Sequence, residues 1–217
     1  MENSKPKIVL SAAITLDGKI SQKNKKVVLS SKSDKIRVHK LRSKFDAILI
    51  GKNTVEQDNP LLTVRHVEGK NPIRIILDSR GTIKNTSKII KTAKNVPTII
   101  VTSKLVSKRN LDRLTNFPLD VIVCGTKQVN IVKLSNILYK KGIKKILLEG
   151  GGTLNLSFLK NNLIDEIIIT ITPFVLGSKN SINLFEGTLL KSIKNSPTLK
   201  LKSFHKNKNE IILNYKI

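Results

Sequence analysis

Ile146-Leu147-Leu148-Glu149-Gly150-Gly151-Gly152-Thr153-Leu154-Asn155 is the stretch whose reading decides the fold. A short aliphatic run bounded by glycine predicts a buried strand. Downstream, apolar residues at 154, 156, 158, 159 and 163 suit a helix. The stretch is therefore a strand, a turn of three residues without side chains, and a helix N-terminus. Such a turn lets the backbone approach a ligand closely, and the free N–H groups of a helix start favour a phosphate. Glu149 falls at the strand's C-terminal end, where open α/β sheets place their ligands. A tight turn with no ligand fits the same ten residues, so the motif alone leaves both readings open.

Working outward, the same alternation recurs. Strands are expected over Ile8 to Leu16, Ala47 to Ile50, Ile73 to Leu77, Val96 to Val101, Leu119 to Val123, Ile143 to Leu148 and Ile164 to Thr172. Between them lie a helix from Ser33 or Asp34 to about Lys44, a helical turn over Thr54 to Pro60, and helices over Leu105 to Leu114 and Val129 to Lys141. A polar, lysine-rich loop runs to Val27 after the Asp17-Gly18-Lys19 turn. Leu199 to Phe204 and Glu210 to Ile217 alternate as a hairpin. Strands alternating with helices predict an α/β fold with a mostly parallel central sheet flanked by helices, plus a C-terminal antiparallel hairpin. No repeat or long linker interrupts it, and one domain over 1–217 is expected.

An apolar fraction of 39% is enough for a core built from Ile, Leu and Val, because Trp is absent and aromatics are 4%. One cysteine, Cys124, excludes an internal disulfide and a cysteine-based metal cluster, and no metal is expected. Lys5, Pro6 and Lys7 lead straight into the first strand, and the longest apolar stretch, Ile167 to Leu176, is broken by Thr170, Thr172 and Pro173. A cytoplasmic protein is expected, with no membrane partner. The net charge of +25 raises nucleic-acid binding. Its lysines are spread along the chain and stacking aromatics are scarce, which favours a compositional bias over a nucleic-acid partner. The positive field would still help ligands that carry phosphates.

Two polar clusters join the glycine turn: Thr15-Leu16-Asp17-Gly18-Lys19-Ile20, and Gly51 to Arg65 with its Asp58-Asn59-Pro60 step. Both follow strands, so in a parallel sheet all three converge on one cleft. Each has a plainer reading: Asp17-Gly18 as a turn, Asp58 as the end of a helical turn, His39 with Arg37 and Arg42 as a solvated helix face. Arg74 is expected at the surface.

In order along nearly the whole chain, Thr15-Leu16-Asp17-Gly18-Lys19, Val38-His39-Lys40-Leu41-Arg42, Asp46 to Gly51, Asp58-Asn59-Pro60-Leu61-Leu62-Thr63-Val64-Arg65, Asn71 to Ser79, Leu148-Glu149-Gly150-Gly151-Gly152-Thr153-Leu154, Leu163-Ile164-Asp165-Glu166 and Pro173-Phe174-Val175-Leu176-Gly177 resemble the pyrimidine reductases of riboflavin biosynthesis. The resemblance implies a dihydrofolate-reductase-like fold, NADPH as cofactor and a homodimer. Three His and one Cys leave no deaminase signature, so the chain is similar to the stand-alone reductases of archaea and fungi. Those act on 2,5-diamino-6-(ribosylamino)-4(3H)-pyrimidinone 5′-phosphate and deliver hydride to C1′ of the ribose, giving the ribitylamino product.

Carried over residue by residue, Lys19 and Glu149 are the candidates at the reacting carbon. Ser30, Arg42, Leu62, Arg65 and Glu149 face the substrate, the arginines being suited to its phosphate. Ala13, Thr54, Asp58, Ser79 and Gly150, Gly151, Gly152 and Thr153 meet NADPH, with Arg80 as a further partner for the 2′-phosphate. Val28-Leu29-Ser30-Ser31 stands where many relatives carry an aromatic or Thr-Ser pattern. A reductase of the deaminated uracil compound, a dihydrofolate-reductase-like enzyme with another substrate, and a nucleic-acid binder are the competing expectations.

Overall fold

A computed structural model describes residues 5–23, 25, 27–188 and 196–217, so Asn24 and Lys26 of the lysine-rich loop lie outside the described residues. The sheet begins with β1 (Lys7–Ile14), β3 (Ala47–Gly51), β4 (Ile73–Leu77), β5 (Thr98–Thr102), β6 (Asp120–Val123), β7 (Lys145–Leu148) and β8 (Glu166–Ile171). With β10 (Lys200–Asn207) and β11 (Glu210–Lys216) these form nine strands in the order β10-β11-β8-β1-β7-β3-β4-β5-β6. Every pairing from β8 to β6 is parallel, while β11 runs antiparallel to both β8 and β10. The expected mostly parallel sheet with a C-terminal hairpin is what forms.

Two-residue periodicity explains why this sheet is covered on both faces. Ile8 and Leu10 of β1, with Leu49, Ile146 and Leu148, enter one core that includes Phe158 and Leu159. Val9, Ile48, Ile50 and Leu147 point the other way, into a second core with Val55, Leu62, Ile83 and Ile89. Strands buried on both sides read as unbroken aliphatic runs, which is why they were visible in the sequence.

Among the described residues six helices lie between the strands: α1 (Lys32–Arg42), α2 (Lys52–Asp58), α3 (Lys88–Lys91), α4 (Lys108–Thr115), α5 (Ile131–Lys140) and α6 (Gly152–Lys160). The N-cap of α1 is Ser31, not Ser33 or Asp34; its side chain accepts from the Asp34 N–H. A small antiparallel pair, β2 (Lys19–Gln22) with β9 (Ser181–Asn183), was not anticipated, and neither was α3. Among the described residues no helix is long and apolar enough to cross a membrane.

Two expectations are overturned. Arg74 is fully buried rather than at the surface. Its guanidinium donates to the carbonyls of Leu61, Ile89 and Val96 and to the hydroxyls of Thr92 and Thr98, at 2.6–3.3 Å. Burial lowers its pKa to about 10, which still leaves it charged at neutral pH. His39 is buried too, not on a solvated face, and its Nδ1 accepts the backbone N–H of Arg65 at 2.9 Å. In both cases neighbouring backbone needs the side chain as a hydrogen-bond partner.

Candidate active site

The C-terminal ends of β1, β3, β4, β5, β6 and β7 open onto a single groove of about 1840 Å³. Ala13 near the end of β1, Thr54 and Asp58 on α2, Ser79 and Arg80 after β4, and Glu149, Gly151, Gly152 and Thr153 after β7 all line it. Ser30 lines it ahead of α1. The strand-end rule thus gathers the Gly51–Asp58 stretch and the glycine turn into one cavity, while of the Thr15–Ile20 cluster only Ile20 reaches it.

At the glycine turn, the Gly150 carbonyl accepts the Gly51 N–H at 2.9 Å, which fixes β7 to β3 at their ends. Gly150 has φ +96°, a conformation that suits glycine, and the Gly150–Gly151 peptide is cis. A Cβ on Gly151 would meet only Thr54 Oγ1, at 3.4 Å. One on Gly152 would lie 2.3 Å from the Asn183 carbonyl oxygen, so β9 is packed directly against the turn.

The helix starts differ in a way that bears on ligands. Side chains of Ser31, Ser87, Ser107 and Asn130 cap α1, α3, α4 and α5. The two helices that begin with glycine caps, α2 at Gly51 and α6 at Gly151, have no side-chain cap, and both caps line the groove. First-turn N–H groups there have no side-chain acceptor at the cap.

Glu149 is gripped from behind. Arg42 Nε and Nη2 donate to its two carboxylate oxygens at 2.8 and 2.6 Å, and Nη1 donates to the Thr63 carbonyl at 3.3 Å. Burial opposes the Arg42 charge, but the Glu149 carboxylate outweighs it, and the Arg42 pKa ends above its ordinary value. Arg65 is exposed and donates to the Thr63 hydroxyl; burial and the neighbouring Arg42 lower its pKa. Burial also holds the His39 pKa at about 4, with Arg42 and Arg65 adding to the effect.

Five expected residues do not line the groove: Lys19, Arg42, Leu62, Arg65 and Gly150. Leu62 is buried in the second core with φ +52°, so its side chain faces away from a ligand and only its backbone is on offer. Lys19 donates to Asn183 Oδ1 at 2.6 Å, while its neighbours Ile20 and Ser21 reach the groove. Asp17 accepts the Thr15 hydroxyl and the N–H groups of Gly177 and Leu176, which together hold its carboxyl well below the usual range. It shapes the turn, as the plainer reading had it. Gln57 of α2, Ile182 of β9 and the Gly125–Lys133 segment also line the groove and were missed. Only Gly125, directly after the predicted Leu119 to Val123 strand and Cys124, hinted at the last of these.

Known proteins share this architecture. A protein of Aquifex aeolicus named 2,5-diamino-6-ribosylamino-4(3H)-pyrimidinone 5′-phosphate reductase is 32% identical over 219 aligned residues, covering 98% of this chain and 97% of that one. A Methanothermobacter thermautotrophicus protein of the same name is 33% identical, covering 98% and 99%. Among solved structures, Acinetobacter baumannii RibD superposes with a TM-score of 0.83 at 24% identity, over 100% of this chain and 59% of that one. The riboflavin biosynthesis reductase of Saccharomyces cerevisiae superposes with a TM-score of 0.74 at 25% identity, over 100% and 91%. The family model described as the RibD C-terminal domain matches residues 6–213, from the first strand of the sheet into the last, and the chain belongs to that family.

Proposed function

We propose that the protein reduces the ribosyl side chain of 2,5-diamino-6-(ribosylamino)-4(3H)-pyrimidinone 5′-phosphate to the ribityl form, with NADPH as the donor. One observation carries the reading: Ser30, Glu149, Gly151, Gly152 and Ser79, which the family resemblance assigns to substrate and cofactor, line one continuous groove. The relatives named above as reductases of this compound align with the chain end to end.

The residues present fit a dinucleotide. Gly151 leaves open space beside Thr54, and the uncapped N-terminus of α6 offers N–H donors to a diphosphate. Thr54, Asp58, Ser79 and the Gly150–Thr153 turn would hold the cofactor, with Ala13 beside it and Arg80 toward a 2′-phosphate. When bound, NADPH supplies hydride to C1′. The chain's part is to fix the sugar and move a proton. As C1′ gains hydride, its bond to the ring oxygen breaks and that oxygen needs a proton, for which Lys19 is the proposed donor. Glu149 holds the sugar and stabilises positive charge developing at C1′. Ser30 lines the groove at the substrate end, with Arg42, Arg65 and the Leu62 backbone assigned to the substrate from outside the groove's lining, and the arginines are suited to the phosphate. A cytoplasmic homodimer is part of the same reading. For the dimer the support is the edge strand β10, which exposes Leu201 and Phe204. The charge of +25 then serves phosphorylated ligands rather than nucleic acid.

The test is NADPH oxidation followed at its nicotinamide absorbance, with the diamino compound, its deaminated counterpart and dihydrofolate as substrates. Faster turnover of the diamino compound supports the proposal, and NADH is expected to be the poorer donor. Preference for the deaminated compound would keep the chemistry and change the substrate; turnover of dihydrofolate alone would overturn both. Glu149→Gln is expected to lose turnover while binding NADPH as before.

A further inference from the structure

Lys19 is fixed through its backbone and aimed by one side chain. Its N–H donates to Thr15 Oγ1 and its carbonyl accepts the Thr15 N–H, both at 2.9 Å, which sets where the chain stands. A flexible four-carbon stem still leaves the ammonium free to swing. Asn183 stops it. This residue lies directly across the ladder in β9, and its Oδ1 accepts from Lys19 Nζ at 2.6 Å.

Asn183 is itself held. Its Nδ2 and its backbone N–H both donate to Glu186 Oε2, at 3.1 and 2.9 Å. Only one orientation of the amide satisfies both neighbours. An ammonium only donates and a carboxylate only accepts, so the carbonyl has to face Lys19 and the NH2 has to face Glu186. Donation to a carboxylate polarises the amide and makes its oxygen a stronger acceptor. The Glu186 N–H in turn reaches the Gly152 carbonyl at 3.1 Å, so one chain of bonds runs from the glycine turn to the Lys19 ammonium.

The β2–β9 strap has other fastenings. The Leu184 N–H donates to the Gly18 carbonyl at 3.2 Å, and Asn155 of α6 donates to the Leu184 carbonyl at 2.9 Å. Gln57 donates to the Ser21 hydroxyl and the Gln22 carbonyl, tying β2 to α2. The Asn183 carboxamide is therefore committed to Lys19 rather than to keeping the strands together. Lys19 is not in the groove's lining, but Ile20 and Ser21 on its own strand and Ile182 next to Asn183 are, which puts the moored ammonium at the groove's edge.

We propose that Asn183, backed by Glu186, is a positioning residue: it holds the Lys19 ammonium in one place at the edge of the groove and registers it against the glycine turn. The inference rests on the reading that Lys19 gives a proton to the substrate.

A double-mutant cycle on the diamino compound with NADPH tests it. Asn183→Ala is expected to lower kcat about tenfold, with KM for substrate and cofactor each changed less than about threefold. In a Lys19→Met background the same substitution is expected to cost less than about twofold, because the group it serves is gone. No loss in the wild-type background, or the full loss in both, overturns the proposal. A second readout needs no turnover: acetylation of the folded protein by acetic anhydride, with Lys19 compared by mass spectrometry to the exposed Lys35. Lys19 is expected to label at least about threefold faster in Asn183→Ala than in wild type, since the ammonium is no longer moored. An unchanged ratio overturns the proposal, and this readout decides where Lys19→Met leaves no turnover. Asn183→Val, a better strand former, takes the place of Asn183→Ala if the latter fails to fold. Should Lys19→Met turn over as fast as wild type while the labelling responds, the proton-donor reading falls and the mooring stands.

Discussion

Replacing Gly152 by alanine separates a steric role of the glycine turn from a ligand-binding one. Gly152 is the first residue of α6 and has no positive φ, so its backbone is not what demands glycine. What forbids a side chain is β9: the new Cβ would sit 2.3 Å from the Asn183 carbonyl oxygen and 2.9 Å from Glu186 Cβ. Ordinary contact begins near 3.4 Å, so the strap has to retreat by about an ångström. That retreat strains or breaks the bond from the Glu186 N–H to the Gly152 carbonyl, 3.1 Å long. Overpacking costs about 1–3 kcal/mol and the lost hydrogen bond about 1 kcal/mol. Alanine's better helix propensity returns up to about 1 kcal/mol. A net loss of about 1–4 kcal/mol corresponds to roughly 3–12 °C in Tm for a domain of this size. Gly151→Ala meets Thr54 Oγ1 at 3.4 Å and gives up only the N-cap preference for glycine, so it is expected to lose no more than about 1 kcal/mol, roughly 3 °C. Thermal unfolding of the two variants side by side is the assay. Equal melting of Gly152→Ala and wild type would refute the packing of β9 on the turn. The retreat also shifts Asn183, which holds the Lys19 ammonium at 2.6 Å, so a fall in kcat should accompany the fall in Tm.

Gly151→Val is expected to weaken NADPH binding at least tenfold by fluorescence titration while Tm stays within a few degrees; unchanged affinity would make the turn purely structural. His39 gives a pH dependence of stability. Its folded pKa, about 4, lies below the unfolded 6.5, so the native state binds fewer protons and its contribution is complete above pH 6.5. That contribution fades as pH falls from 6.5 toward 4, by about 2 kcal/mol, and urea unfolding of His39→Gln against wild type over this window should show the slope removed. Arg74→Ala orphans buried carbonyls and opens a cavity, for an expected loss of about 3–5 kcal/mol in urea unfolding; a loss below about 1 kcal/mol would contradict its role in the core.

How far each element was legible follows from how it is held. β1, β3, β4 and β7 are buried on both faces and announce themselves as aliphatic runs, and the glycine turn fixes where β7 ends. The pair β2 and β9 is made of Lys19-Ile20-Ser21-Gln22 and Ser181-Ile182-Asn183, too short and too polar to carry a periodic signal. Its bonding comes from across the chain. Arg74 was misplaced although the information was present: a charged residue between Ile73 and Ile75, in a strand covered on both faces, has to be buried whichever way it points. The Arg42–Glu149 pair had no such signal. Its members stand 107 residues apart, and only the sheet order, with β7 between β1 and β3, brings them together.

Helix α1 shows why the site's electrostatics escaped a pattern-based reading. Its fully buried residues are Asp34 and His39, and it docks through polar bonds as well as through Leu41 against the second core. Ser31 at its N-cap donates to Glu210 of β11, and Thr170 of β8 donates to Asp34. At the other end His39 takes the Arg65 N–H and Arg42 takes Glu149. Periodicity finds helices by the face they hide from water, and this helix hides polar groups. Such networks are directional, so they fix position more narrowly than oil-like contacts do, and a member left unpaired in a buried site costs about 1–3 kcal/mol. The aliphatic runs therefore build the sheet that gathers the strand ends. The polar helix sets where Ser30 and Glu149 stand along the groove that those ends create.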